Sequence, residues 1–298
     1  MIAVECIEVT KGFADKTVLD GVSFQLEAGG IYALLGRNGA GKTTLMNCIC
    51  TKYLPDSGEI RVLEEEVYEN EGVLSQICFM SDNIDAFDTK KVRYILHYAG
   101  QFYQDWNRDL EEKLLDFFDV DLKAVYGTLA KGQKTMVGII IGLCSGCEVV
   151  LLDEIYSGLD ATARQSLYKI LLEEQERQPR TFILSTHLIE EMTALFDRVI
   201  ILDKGRLILN EDMETIYSKS YKCVGRTDME SSLAGKNILH RKQMGTVMEY
   251  DIYDVITGEE QKQLEEKGFT VSSLPLQDLF TAFTFEGTKE WGGFDGGA

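Results

Sequence analysis

The first stretch of the chain alternates apolar and polar residues: Ile2, Val4, Ile7 and Val9, then Val18, Val22, Phe24 and Leu26. Gly12, Gly21 and the Gly29-Gly30 pair punctuate it, as turns between half-buried strands would. A small antiparallel sheet is predicted. Ile31-Tyr-Ala-Leu-Leu35 reads differently, as a continuous apolar run that ends in glycines and gives way to helical spacing from Lys42 onward. This is the layout of a buried strand feeding a loop and a helix. Similar runs recur at Ile77 to Met80, Val149 to Leu152, Thr181 to Leu184 and Val199 to Leu202, and together they predict an α/β fold on a mostly parallel sheet with crossovers.

Between about Thr89 and Leu143 the apolar residues fall at helical spacing: Val92, Ile95, Leu96 and Ala99, then Leu110, Leu114, Leu115 and Phe118. A helical subdomain, about 88–145, is expected as an insertion into the sheet. Past Asp212 the pattern changes again. Thr246 to Tyr253 alternates like a strand, Gly258 to Lys267 reads as a short charged helix and Phe269 to Leu274 as a strand. The expected organisation is a main domain over 1–212 and a small α+β appendage over 213–298. The glycine-rich end, Trp291 to Ala298, is expected to be a mobile tail unless a partner holds it.

Composition narrows the classes. Apolar residues at 45% and charged residues at 27% match ordinary globular usage. A formal charge of −19 argues against a surface that wraps nucleic acid or spreads on anionic lipid, so any membrane connection is expected to run through another protein. The N-terminus has no basic stretch leading into an apolar run, and a cytoplasmic location is the default expectation. The most apolar stretch, Met136 to Leu152, is cut by Ser145, Gly146, Cys147 and Glu148, which predicts a helix and then a buried strand rather than a membrane span. Seven scattered cysteines fit reduced thiols. Cys144 and Cys147 have redox spacing, but no second pair completes a ligand set, and they read as small residues at the end of a buried helix.

Gly36-Arg-Asn-Gly-Ala-Gly-Lys42-Thr43-Thr44 lies between the predicted strand and helix and matches a phosphate-binding loop. Across Asn38, Gly39, Ala40 and Gly41, glycines let main-chain amides turn inward to phosphate oxygens, where the helix N-terminus adds favourable partial charge. Lys42 is expected to reach the β- and γ-phosphates of ATP, Thr43 to offer a hydroxyl to Mg²⁺ and Thr44 to bind another phosphate oxygen. A plain strand-to-helix turn leaves a lysine followed by two hydroxyl residues without a role. Val149-Val-Leu-Leu-Asp153-Glu154 is a buried strand ending in two acids. Asp153 is expected to hold magnesium and Glu154 to polarise the attacking water.

Further elements follow in an order that resembles the ABC ATPases. Ser157-Gly-Leu-Asp160 resembles the loop that crosses that family's dimer interface, and His187, in Ser185-Thr-His187, resembles its switch histidine at the γ-phosphate. Phe13 falls where the family places an aromatic against adenine, although a core position on an edge strand explains it nearly as well. Leu129-Ala130-Lys131-Gly132-Gln133 resembles the signature motif, which implies that Ala130, Gly132 and Gln133, with Asp160, serve the nucleotide of the opposite subunit. Here the chain departs from the pattern: Ala130 replaces a serine and removes a hydroxyl donor, at about 1.5–3 kcal/mol where water cannot substitute, while Lys131 replaces a glycine and adds a cation. In Phe79-Met80-Ser81-Asp82-Asn83 the register puts Asp82 where the family has a metal-binding glutamine; a carboxylate still binds the cation.

The resemblance spans nearly the whole chain. Leu276-Gln-Asp-Leu-Phe280 resembles the closing motif of ATPase subunits in bacterial ABC-2-type exporters, and Asp82 through Trp106 is similar to a branch tied to peptide or antibiotic export and resistance. The resemblance implies a P-loop ATPase that hydrolyses Mg-ATP as a homodimer, or as a heterodimer in which a partner supplies an unaltered signature. It would drive separate transmembrane permease subunits from the inner face of the membrane. A soluble ABC ATPase for assembly of a cytosolic complex, of the iron–sulfur type, and a low-turnover regulator remain alternatives at this stage.

Overall fold

The continuous apolar runs become the centre of one sheet. In the computed structural model, which describes residues 1–81, 84–156 and 158–285, that sheet has the order Arg206–Asp212, Arg198–Asp203, Ile31–Gly36, Thr181–Ser185, Val149–Asp153, Ile77–Ser81. All neighbours are parallel except the outermost pair, where Arg206–Asp212 runs against Arg198–Asp203. Strands buried on both faces need apolar residues at every position, which is why these runs do not alternate. Val149 to Asp153 and Thr181 to Ser185 are buried throughout. Ser185 lies opposite both Leu34 and Asp153, so the carboxyl ends of three central strands reach the same edge, where open α/β sheets place their ligands.

A second sheet has the order Lys16–Glu27, Ile2–Phe13, Ser57–Val62, Glu65–Glu66. The predicted antiparallel sheet is present, with two corrections. Gly12 and Gly21 lie inside the two long strands rather than between strands. Ile7 is exposed and Cys6 takes the inward position, because the pairing register shifts between Cys6 and Val9, with Glu8 at φ 48°. An irregularity of one residue moves every later side chain to the other face, so strict alternation from Ile2 to Val9 fails. Helix Lys42–Ile49 contributes Leu45, Met46, Cys48 and Ile49 to one core with inward residues of both sheets, which fixes its N-terminus at the carboxyl edge of the parallel sheet.

The helical region appears as helices Val92–Phe102, Arg108–Phe117 and Lys131–Cys144. Val92, Ile95, Leu96, Leu110 and Leu114 are buried, as the spacing predicts, and Asn107 caps the second helix by accepting from the Leu110 amide at 3.0 Å. The apolar stretch up to Leu152 divides as expected, into the helix that ends at Cys144 and the strand that starts at Val149. Among the described residues no helix is long and apolar enough to cross a membrane. Cys144 and Cys147 are buried, and all seven cysteines are free thiols; burial pushes the Cys147 thiol up to about 12.

The chain divides into compact units at Met213 and Glu214. In the second unit a sheet has the order Ile238–Met244, Val247–Tyr253, Ser220–Arg226, Thr270–Ser273. Helix Gly258–Glu266 is closed by a capping box of Thr257 and Glu260. Cys223, Leu233, Tyr250, Ile252, Ile256, Leu264 and Phe269 form its core. Strand Ser220–Arg226 has no counterpart in the sequence reading although it is central. Its run SYKCVGR presents few apolar residues and owes its place to pairing on both sides. The glycine-rich tail Trp291 to Ala298 lies outside the described residues.

Candidate functional site

The phosphate loop is built by conformations that few residues accept. Gly39 and Gly41 have φ of 82° and 108°, in the left-handed region open to glycine. A methyl group on Gly41 would come within 2.7 Å of Leu19 Cδ2 and 2.9 Å of the Val18 carbonyl, whereas one on Gly39 would meet no protein atom within 4 Å. The loop is therefore tight against the protein on one side and open on the other. Leu45 N donates to Gly41 O at 2.8 Å as the first helical bond, so the amides of Lys42, Thr43 and Thr44 precede the helical ladder and have no partner within it. Asn38, Gly39, Ala40, Gly41, Lys42, Thr43 and Thr44 all line one cleft of about 630 Å³. Main-chain donors, a helix N-terminus and a lysine around open space are what a phosphate chain requires.

Lys42 is buried, and its ammonium donates to the Gly36 carbonyl at 2.8 Å and lies 3.6 Å from Glu154 Oε1. The other oxygen of Glu154 is 2.6 Å from His187 Nδ1. Glu154 and His187 line the same cleft as the phosphate loop. Glu154 adopts φ 54°, and its amide is held by the Ser185 carbonyl at 3.2 Å and the Ser185 hydroxyl at 3.1 Å. A non-glycine residue in this region carries backbone strain and persists where its surroundings over-determine it.

Asp153 is buried, and each carboxylate oxygen has a partner. Thr43 Oγ1 donates to Oδ2 at 2.6 Å and Ser185 Oγ to Oδ1 at 2.5 Å. A threonine hydroxyl beside a carboxylate is an oxygen-only donor pair suited to a hard divalent cation, so the residues present fit magnesium. Asp82, a third predicted ligand, lies outside the described residues together with Asn83 and Ser157.

Other predicted residues stand elsewhere. The exposed Phe13 ring is held edge-on by Tyr53, with centroids 5.2 Å apart, and is not among the residues lining the cleft. Ala130 is the N-cap of helix Lys131–Cys144 and makes no side-chain cap; its amide donates to Gln133 Oε1 at 3.2 Å. Asp160 caps helix Ala161–Arg177 by accepting from the Ala163 amide at 2.9 Å. Gly132 packs against the loop after the acidic pair, where a methyl group would come within 2.5 Å of the Gly158 carbonyl. That loop is fastened further by Arg164, which donates to Leu159 O and forks onto Glu191 at 2.7 and 2.9 Å.

Lys16, Val18 and Lys131 line the cleft and were not expected there, and Ser185 and Tyr53 support site residues. Val18 and Lys16 belong to a strand whose alternation says only which side faces the core. Ser185 is a single hydroxyl at a strand end, which becomes meaningful once the sheet order sets it beside Asp153.

Comparison with known proteins places the chain in a family. The ABC transporter family profile matches residues 19–157. The chain is 24% identical over 294 residues to the ABC transporter ATP-binding protein YtrB of Bacillus subtilis, covering 97% of this chain and 100% of that protein. It is 33% identical over 219 residues to an uncharacterised ABC transporter ATP-binding protein of Methanocaldococcus jannaschii, covering 71% and 78%. It is 32% identical over 234 residues to the Nod factor export ATP-binding protein I of a Rhizobium species, covering 74% and 75%. Among solved structures, an ATP-binding subunit of an ABC transporter superposes with a TM-score of 0.64 at 23% identity, over 72% of this chain and 91% of that one, which shows a shared fold. Relatives a third identical along most of their own length carry the argument beyond fold: the chain belongs to the ABC transporter ATP-binding proteins, and it is a nucleotide-binding ATPase.

Proposed function

We propose that the chain is the ATP-hydrolysing subunit of an exporter, dimerising around Mg-ATP and pulling on separate transmembrane permease subunits. The observation that carries the catalytic half is the convergence of Lys42, Glu154 and His187 on the cleft of the phosphate loop. Loop amides and Lys42 bind the β- and γ-phosphates; Thr44 takes a further oxygen. Thr43 and Asp153 would hold magnesium, with Asp82 as a further ligand, and the ion would supply charge neutralisation at the phosphates. Glu154 accepts the proton of the attacking water, and His187 orients the Glu154 carboxylate and meets the γ-phosphate. Phe13, propped by Tyr53, offers a ring face to adenine.

Export rests on the Nod factor export relatives and on the closing segment Leu276 to Phe280, which forms most of helix Leu276–Phe283. A permease contact is supported by helix Val92–Phe102, where Tyr94, Tyr98 and Phe102, four residues apart, are 44%, 61% and 71% exposed. Dimerisation completes the reading: Ala130, Gly132, Gln133 and Asp160 of one copy face the nucleotide of the other, with a homodimer or a second ATPase as partner. Through the permease the protein sits on the inner face of the membrane. The test is to co-purify the chain with its genetically neighbouring membrane protein, reconstitute both in vesicles and measure ATP-dependent transport. Nucleotide turnover that is indifferent to the membrane protein would count against a transport role.

A further inference from the structure

We propose that Lys131 serves the nucleotide held on the phosphate loop of its own chain, a cis role distinct from the trans role of the segment it belongs to. Lys131 lines the cleft of Asn38 to Thr44 within a single chain, on an element nearly ninety positions further along the sequence. The cleft is cationic in a protein of net charge −19: Lys16, Lys42 and Lys131 face it, with Glu154 as the acid on its wall. A polyanionic phosphate chain is the ligand chemistry that such a juxtaposition selects.

The placement follows from close packing. Lys131 opens helix Lys131–Cys144, and the loop after Glu154 lies directly on it. A methyl group on Gly158 would approach Thr135 Oγ1 to 2.8 Å and Lys131 Cγ to 3.1 Å, and one on Gly132 would approach the Gly158 carbonyl to 2.5 Å. Two glycines thus permit a contact that sets the stem of Lys131 against Gly158, and Lys131 and Glu154 line the same cleft. With glycine at position 131 the cleft would lose this cation altogether. The substitution that weakens the resemblance to the signature therefore supplies a charge to the chain's own site.

This inference rests on the reading of residues 36–44 as a phosphate loop, and the experiment separates the two. A fluorescent ATP analogue and the matching ADP analogue, each with magnesium, are titrated with the wild-type chain, K131M and K131R at concentrations where sedimentation shows monomers. Lys131 is exposed, so K131M is expected to fold, and melting curves check it. The expected result is an ATP affinity about threefold to tenfold weaker in K131M, a smaller change for ADP and near wild-type binding in K131R. Equal ATP affinity of monomeric wild-type and K131M overturns the cis role while leaving the phosphate loop intact. A wild-type chain that binds neither nucleotide overturns both. A fully trans lysine predicts a loss seen only on dimerisation, which also overturns the proposal.

Discussion

His187 Nδ1 lies 2.6 Å from Glu154 Oε2, on the far side of the carboxylate from the Lys42 ammonium, which stands 3.6 Å from Oε1. The carboxylate is clamped between the first residue of helix Lys42–Ile49 and a side chain two residues past strand Thr181–Ser185. Two segments distant in sequence thus fix its orientation.

Removing the carboxylate while keeping its shape isolates proton transfer. Glu154→Gln is expected to retain ATP binding through the loop and Lys42 and to slow hydrolysis by about 10² to 10⁴, the scale for losing a general base. Single-turnover hydrolysis beside nucleotide binding is the measurement. Unchanged turnover would move the base elsewhere.

The proposed role of His187, through Glu154 and at the γ-phosphate, predicts that its loss lowers kcat more than it raises KM. His187→Ala is expected to reduce turnover by about 10² with ATP affinity within about threefold. A large rise in KM with unchanged kcat would make His187 a binding residue only.

The left-handed backbone at Glu154 gives a test independent of activity. Glutamate, like alanine, is strained at φ 54°, and glycine is not. Glu154→Ala and Glu154→Gly remove the same side-chain contacts, so comparing them leaves the backbone term. The glycine variant is expected to be the more stable by about 1 kcal/mol, or about 2–4 °C in melting temperature. Equal or reversed melting points would mean that this backbone stores no strain.

Gly41 tests the cradle itself. Its φ of 108° and the nearness of Leu19 and Val18 leave no room for a methyl group. Gly41→Ala is expected to shift the loop and weaken ATP binding by at least about tenfold, with a stability loss of about 1–3 kcal/mol. Tight ATP binding by a folded Gly41→Ala protein would show that the loop tolerates rearrangement.

What could be read from the sequence was what is local along the chain. The loop from Gly36 to Thr44 and the acids at 153 and 154 are each a strand end followed by a few residues, and buried parallel strands announce themselves by unbroken apolar runs. Ser185 beside Asp153, Tyr53 behind Phe13 and Gly158 on Lys131 are meetings between distant segments that no spacing encodes. Ile7 misled for a related reason: the shifted register beyond Cys6 reverses the facing of the strand, and composition does not mark where that occurs. Strand Ser220–Arg226 escaped because its neighbours on both sides, rather than its own side chains, make it a strand.

The second unit carries a titratable group that opposes its stability at neutral pH. Burial raises the pKa of Asp251 above its usual 3.8; Glu249 and Asp278 push the same way, while Lys222 and His240 pull it down. Its Oδ1 is buried with no hydrogen-bond partner among the described residues, and Oδ2 is 3.5 Å from His240 Nδ1. Below 3.8 the residue is protonated in both folded and unfolded chains and has no effect on their balance. As pH rises past that value the unfolded chain ionises first, and once the folded chain ionises too, the full penalty for a buried anion is present. Asp251→Asn, which cannot ionise, is therefore expected to be more stable than the wild-type protein at pH 7.5, with the advantage shrinking as the pH falls towards 4. Chemical denaturation of the full chain across that range measures it. An advantage that grows on acidification, or a variant less stable at pH 7.5, would show that the Lys222 and His240 contacts outweigh burial.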